Sequence, residues 1–124
     1  MQLRVARQTR RLEEVVAFYR DGLGLPEIGR FADHEGYDGV MLGIPGTGAH
    51  LELTATAHVT PPEPHPESLL VLYLGSRAEV DRLARGLPVV PSLNPYWDRC
   101  GVTVVDPDGF RVVLVWEVSP LPAA

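Results

Sequence analysis

A chain of 124 residues holds one domain or two half-domains. With 45% hydrophobic and 22% charged residues it has the composition of a packed globule, not of a disordered segment. The net charge is −5 and the eleven basic residues are all arginine, scattered apart from a small excess near the start; this speaks against a nucleic-acid partner and, weakly, for a cationic ligand. One cysteine, Cys100, excludes an intrachain disulfide and a multi-cysteine metal site. The longest clean apolar run, Leu69–Leu74, is far too short to span a membrane. No signal-peptide core opens the chain, so the expected location is the cytoplasm.

The first strand is expected over 3–8. Thr9 then caps a helix over about 10–21, in which Leu12, Val15, Val16 and Tyr19 keep the i, i+3, i+4, i+7 spacing of one apolar face. Gly22 and Gly24 end it. Strands follow near 27–32, 37–44 and 49–54, the last two joined by the turn Pro45-Gly46-Thr47-Gly48. Four prolines between His58 and Glu67 mark an extended linker over 57–67. The pattern then restarts. Leu69–Leu74 reads as a buried strand, and Ser76-Arg77-Ala78-Glu79 as a capping box. Val80, Leu83, Ala84 and Leu87 line the apolar face of a second helix that Gly86 ends. Strands near 88–91, 101–105 and 110–117 close the chain, the last pair turned by Asp106-Pro107-Asp108-Gly109.

The order strand, helix, three strands thus occurs twice, in modules 1–56 and 68–124. The fold class is α+β. Each module has one helix to cover one face of a four-stranded sheet, so the other faces are expected to meet or to curl into a cleft with the helices outside.

Several motifs carry a family resemblance. Ala17-Phe18-Tyr19-Arg20-Asp21-Gly22-Leu23-Gly24-Leu25 resembles the helix-end motif of the vicinal oxygen chelate superfamily, which holds glyoxalases, bleomycin-resistance proteins and extradiol dioxygenases. His50-Leu51-Glu52-Leu53 resembles the close of its first module, and Asp106-Pro107-Asp108-Gly109 its last hairpin. Asn94-Pro95-Tyr96-Trp97 and Gly36-Tyr37-Asp38-Gly39 look like a glyoxalase-like branch of that group. The resemblance implies a fold of two βαβββ modules and, by analogy with drug-binding members, a homodimer. Metal-dependent members place a histidine on the first strand of each module and a glutamate on the last. The resemblance puts these four positions at Arg4, Glu52, Leu69 and Val113, of which only Glu52 matches. A guanidinium repels a cation and hydrocarbon cannot ligate one. The expectation is therefore no cofactor and no metal at the family's site.

Strand parity sorts the other candidates. His50, Glu52 and Thr54 share one face of their strand, while Leu51 and Leu53 share the other and should meet the helix. Arg4, Ala6 and Gln8 share the face of the first strand that would line the cleft. Because the family sets first and last strands side by side, Arg4 and Glu52 are expected to form a bidentate pair. That pair either orients a polar ligand or is a structural salt bridge in place of a metal. A new site from His34, His50 and Glu52 is chemically conceivable, and Glu52 or His50 is a possible general base. His58 and His65 are expected in solvent. Tyr96 and Trp97 are expected in a loop at the cleft mouth, either stacking on a planar ligand or plugging the core. Phe31, Tyr37 and Tyr73 would extend the wall, and Leu69, Val71, Val113 and Val115 would make the second module's face apolar. Cys100 reads as a buried thiol.

Three functions fit this pattern. The first is a metal-free protein that binds a small, partly apolar molecule through Arg4, Gln8, His50, Glu52, Leu69, Tyr96, Trp97 and Val113. The second is a metal-dependent lyase, isomerase or dioxygenase, supported by Glu52. The third is a structural dimer whose pocket is packed solid by Trp97, Leu69 and Val113. No nucleic-acid or membrane partner is expected.

Overall fold

The computed structural model describes residues 1–118; the end of the predicted second module, 119–124, lies outside the described residues. The chain divides into two compact units, Met1–Glu63 and Pro64–Ala124. Each unit holds one four-stranded mixed sheet.

In the first unit, β1 (Arg4–Gln8) is followed by α1 (Leu12–Ala17), a π-helical turn (Phe18–Gly22), β2 (Glu27–His34), β3 (Tyr37–Gly43) and β4 (His50–Ala55). The sheet order is β1-β4-β3-β2, with β1 parallel to β4 and the other pairs antiparallel. One face carries Val40, Leu42, Leu51 and Leu53, all buried, and α1 lies against β4 with Val15 and Val16 also buried. This is the alternation of β4 read from the sequence, leucines toward the helix.

The predicted single helix over 10–21 is shorter and changes type. Its α-helical part starts at Leu12, with Arg11 at the N-cap position and no side-chain cap. Thr9 is buried and its hydroxyl instead accepts the Arg11 N–H at 3.0 Å, a tight turn ahead of the helix. From Phe18 the backbone winds in π fashion, and the Leu23 N–H reaches the Phe18 carbonyl at 3.0 Å. The wider turn lets Phe18 and Tyr19 both be buried, their rings edge to face at 4.9 Å. Outside this turn Arg20 and Arg30 share Glu27, at 2.9 Å each, and Arg30 also reaches Glu13 at 2.6 Å. Hydrogen bonds from Arg30 and Arg20 hold the Glu27 carboxyl below its ordinary pKa.

The second unit runs β5 (Leu69–Tyr73), α2 (Arg77–Ala84), β6 (Val89–Val90), α3 (Tyr96–Cys100), β7 (Gly101–Val105) and β8 (Arg111–Val115), in sheet order β5-β8-β7-β6. Here too the first strand, β5, runs parallel to the last, β8. α2 lies against β7 and β8, with Val80, Val104, Val112 and Leu114 buried. The capping box is half made. Ser76 Oγ accepts the Glu79 N–H at 3.3 Å, but the Glu79 carboxylate turns to Arg82, at 2.7 and 2.9 Å. α2 stops at Ala84, ahead of Gly86. At the last hairpin Asp106 Oδ1 accepts the N–H groups of Asp108 and Phe110, at 2.8 and 3.0 Å, and Gly109 takes φ 91°, which a side chain would disfavour.

Candidate functional site

The open face of the first sheet carries the polar cluster that strand parity predicted. Parallel pairing sets Arg4 beside His50, Ala6 beside Glu52 and Gln8 beside Thr54. From the other side Met41 of β3 stands opposite Glu52 and Gly43 opposite His50. The guanidinium of Arg4 lies over this row. Its Nη1 donates to Glu52 Oε2 at 3.1 Å, its Nε to His50 Nε2 at 2.9 Å, and its Nη2 points at Met41 Sδ at 3.6 Å. The expected pair therefore forms, but it is not bidentate: the fork is divided between a carboxylate and an imidazole. The Glu52 side chain is 14% exposed and that of Arg4 51%, so the carboxylate is covered and the cation faces outward.

Gln8 belongs to the same face and is fully engaged at its far end. Its Nε2 donates to the Thr56 carbonyl at 3.2 Å and its Oε1 accepts from Thr54 Oγ1 at 3.3 Å. Phe31 of β2 lies across Gly39, covering the place a side chain would take. His34 packs edge to face on Phe31 at 6.1 Å. Among the described residues no three His, Cys, Asp or Glu side chains gather closely enough to hold an ion, so His34, His50 and Glu52 do not form the conceivable new site. Met41 was missed by sequence reasoning. Its signal was the run Gly39, Met41, Gly43 alternating with buried Val40 and Leu42. His58 and His65 are exposed as expected, and His65 Nδ1 accepts the Glu67 N–H at 3.0 Å.

In the second unit the residues that parity assigned to an apolar face do lie together. Cys100, Val113 and Val115 are buried, and Leu69, Val71 and Trp97 pack against them. Tyr96 and Trp97 are not in a loop: they open the short helix α3. Asn94 Oδ1 accepts the Tyr96 N–H at 3.0 Å, and Pro95 presets the first turn. That helix turns Trp97 onto the sheet, with Tyr96 edge-on to it at 5.0 Å and partly exposed. Of the two roles open for Trp97, packing on the hydrocarbon of its own unit is the one its contacts display. The Cys100 thiol is buried, and burial first, then the nearby Glu117 carboxylate, raise its pKa. Tyr37 and Tyr73 are each a little over one third exposed, at 38% and 37%.

With this geometry in place, comparison with known proteins is decisive about kinship. The family model for the YycE-like N-terminal domain matches residues 3–54, and that for the YycE-like C-terminal domain matches residues 67–116. The chain belongs to the YycE-like family. Protein YycE of Bacillus subtilis strain 168, itself uncharacterised, is 46% identical over 120 residues, covering 92% of this chain and 86% of that one. A solved YycE protein of unknown function from Bacillus subtilis is 43% identical with a TM-score of 0.87, over 99% of this chain and 93% of that one. The trypanothione-dependent glyoxalase I of Leishmania major is 25% identical with a TM-score of 0.69, over 93% and 85% of the two chains. Lactoylglutathione lyase from Agrobacterium tumefaciens, 20% identical at a TM-score of 0.60 over 91% and 90%, shares the fold. The YycE-like chain therefore has the glyoxalase-type fold of the vicinal oxygen chelate superfamily, as its motifs implied. No helix among the described residues is long and apolar enough to cross a membrane.

Proposed function

We propose that this YycE-like protein binds a small, partly apolar molecule on the open face of its first sheet, without the divalent metal usual in the superfamily. The observation that carries the reading is the fork of Arg4, bonded at once to Glu52 and His50. The side chains at the family's ligand positions do not suit a cation. Arg4 sets a positive charge where an imidazole is needed, and it already holds the one matching carboxylate. Leu69 and Val113 are hydrocarbon, packed in their own unit with Trp97. What is left is a polar row of fixed geometry, fit for orienting a ligand. Gln8 fixes the end of that row.

Metal analysis of protein purified without chelator, combined with calorimetric titration of a panel of small amphipathic compounds, tests the proposal. The expected result is substoichiometric metal and saturable binding that Arg4→Met abolishes. Stoichiometric zinc, nickel, iron or manganese overturns it. That outcome would favour a second reading, a metal-dependent lyase, isomerase or dioxygenase using Glu52. Two observations support this alternative: Glu52 is retained, and the solved Bacillus subtilis YycE carries the provisional description glyoxalase/fosfomycin resistance protein. The proposal extends to a cytoplasmic homodimer. Light scattering checks the assembly against twice the chain mass of 13.6 kDa.

A further inference from the structure

At the end of the first sheet away from Gln8, Pro26, Ile28, Ile44, Pro45 and His50 wall a hollow of about 370 Å³, within the size range of small-ligand sites. It owes its space to Gly43. A Cβ there would come 3.3 Å from Ile28 Cγ2 and 3.7 Å from Pro26 Cγ. The backbone of Gly43 is not in the left-handed region, so nothing in its own conformation demands glycine. Ile28 stands 58% exposed beside this space.

His50 belongs both to the hollow and to the polar cluster. Because its Nε2 accepts from Arg4, the neutral ring carries its proton on Nδ1. No described residue pairs with that N–H. Arg4 directs three of its N–H groups at His50, Glu52 and Met41, which leaves two of the five unused. Glu52 is covered and engaged, whereas the guanidinium is half exposed, so an arriving ligand meets positive charge first. Donors without acceptors thus stand beside an apolar recess.

We propose that the ligand is a small amphipathic carboxylate. Its hydrocarbon tail fills the hollow over Gly43, and its carboxylate accepts from His50 Nδ1 and the free N–H groups of Arg4. This rests on the ligand site proposed above and adds the ligand's chemical class. It also reverses, on local grounds, the weak leaning toward a cationic ligand drawn from net charge.

The test is methyl NMR of the full chain with labelled isoleucine, titrated with butyrate, hexanoate and octanoate, and with hexylammonium as the control. The expected result is that hexanoate moves the Ile28 and Ile44 methyls together with the His50 ring, and hexylammonium moves none of them. Affinity should rise about fourfold per added methylene until the hollow is full. Gly43→Val, which fills the recess, should weaken hexanoate binding at least tenfold. Ile28→Ser, at an exposed position that leaves folding intact, should weaken it severalfold. Methyls that stay still, an equal response to hexylammonium, or undiminished binding by both variants overturns the assignment. If other compounds still shift the Arg4 and His50 resonances, the broader binding reading survives alone; if nothing moves them, both fall.

Discussion

Placing a carboxylate at residue 113 is the sharpest perturbation of the second sheet, because it restores the group that metal-binding relatives carry there. Val113 is fully buried, with Cys100 and Val115 beside it and Leu69, Val71 and Trp97 packed around them. In Val113→Glu the neutral carboxyl alone costs about 1–3 kcal/mol, since most of these neighbours are hydrocarbon. Ionising it costs more. Burial raises a carboxyl pKa by up to roughly 3–5 units, and each unit is worth about 1.4 kcal/mol. The folded pKa then lies above the unfolded value of about 4.3. The deficit is therefore smallest below about pH 4 and grows as pH rises from there toward the folded pKa. A rise of only two units gives about 2 kcal/mol of loss at pH 4 and roughly 5 kcal/mol at pH 7, a large share of a domain's usual 5–15 kcal/mol. Urea unfolding followed by circular dichroism, variant against wild type across that pH range, measures the deficit. A variant as stable as wild type at pH 7, or a deficit flat with pH, would mean that residue 113 opens to water, and the hydrocarbon account of this face would be wrong.

Four further outcomes are expected. Arg4→Met should lower stability by only about 1 kcal/mol, because the guanidinium is half exposed; a double-mutant cycle with Glu52→Gln reads the coupling, and a loss above 3 kcal/mol would contradict the geometry. Trp97→Ala should cost about 2–3 kcal/mol, below the range for a fully buried tryptophan; an unchanged melting temperature would show that the ring is dispensable to its unit. Cys100 should resist alkylation in the native state and react on unfolding. Because its folded pKa is raised above the ordinary value of 9.0, the neutral thiol's contribution to stability is present below that pH and is lost as pH climbs past it toward the folded value. Ser76→Ala should cost about 0.5–1 kcal/mol, a fall of about 2–5 °C in Tm for a chain of this size, since Ser76 Oγ is the side-chain cap of α2.

Much of the architecture was readable because its causes are local. The alternation in His50-Leu51-Glu52-Leu53 fixed which side of β4 meets α1, and the parallel register set Arg4 beside His50, with Glu52 next along the same face and within reach of the guanidinium. Where several partners compete, one pattern was not enough. Ser76 and Glu79 have the spacing of a reciprocal cap, yet Arg82 lies three residues beyond Glu79 and takes the carboxylate. Arg4 was matched to Glu52, but nothing along the chain says that the same fork also reaches His50. The helix over 10–21 was right in its apolar face and wrong in its end, because the π turn is set by burying Phe18 and Tyr19 together, a tertiary demand. Helix α3 was missed because five residues are too few to display a period; its signal was Asn94-Pro95, a helix start ahead of the two aromatics expected in a loop.

The ring of Phe31 resting on Gly39 ties the history of two positions together. Any side chain acquired at 39 evicts the ring from its seat, leaving a large aromatic in water on a strand at the margin of the sheet, where unsheltered hydrocarbon invites sticking between molecules. Mutational drift at this corner therefore has to proceed in pairs, with the aromatic shed first and the glycine free to change only afterwards.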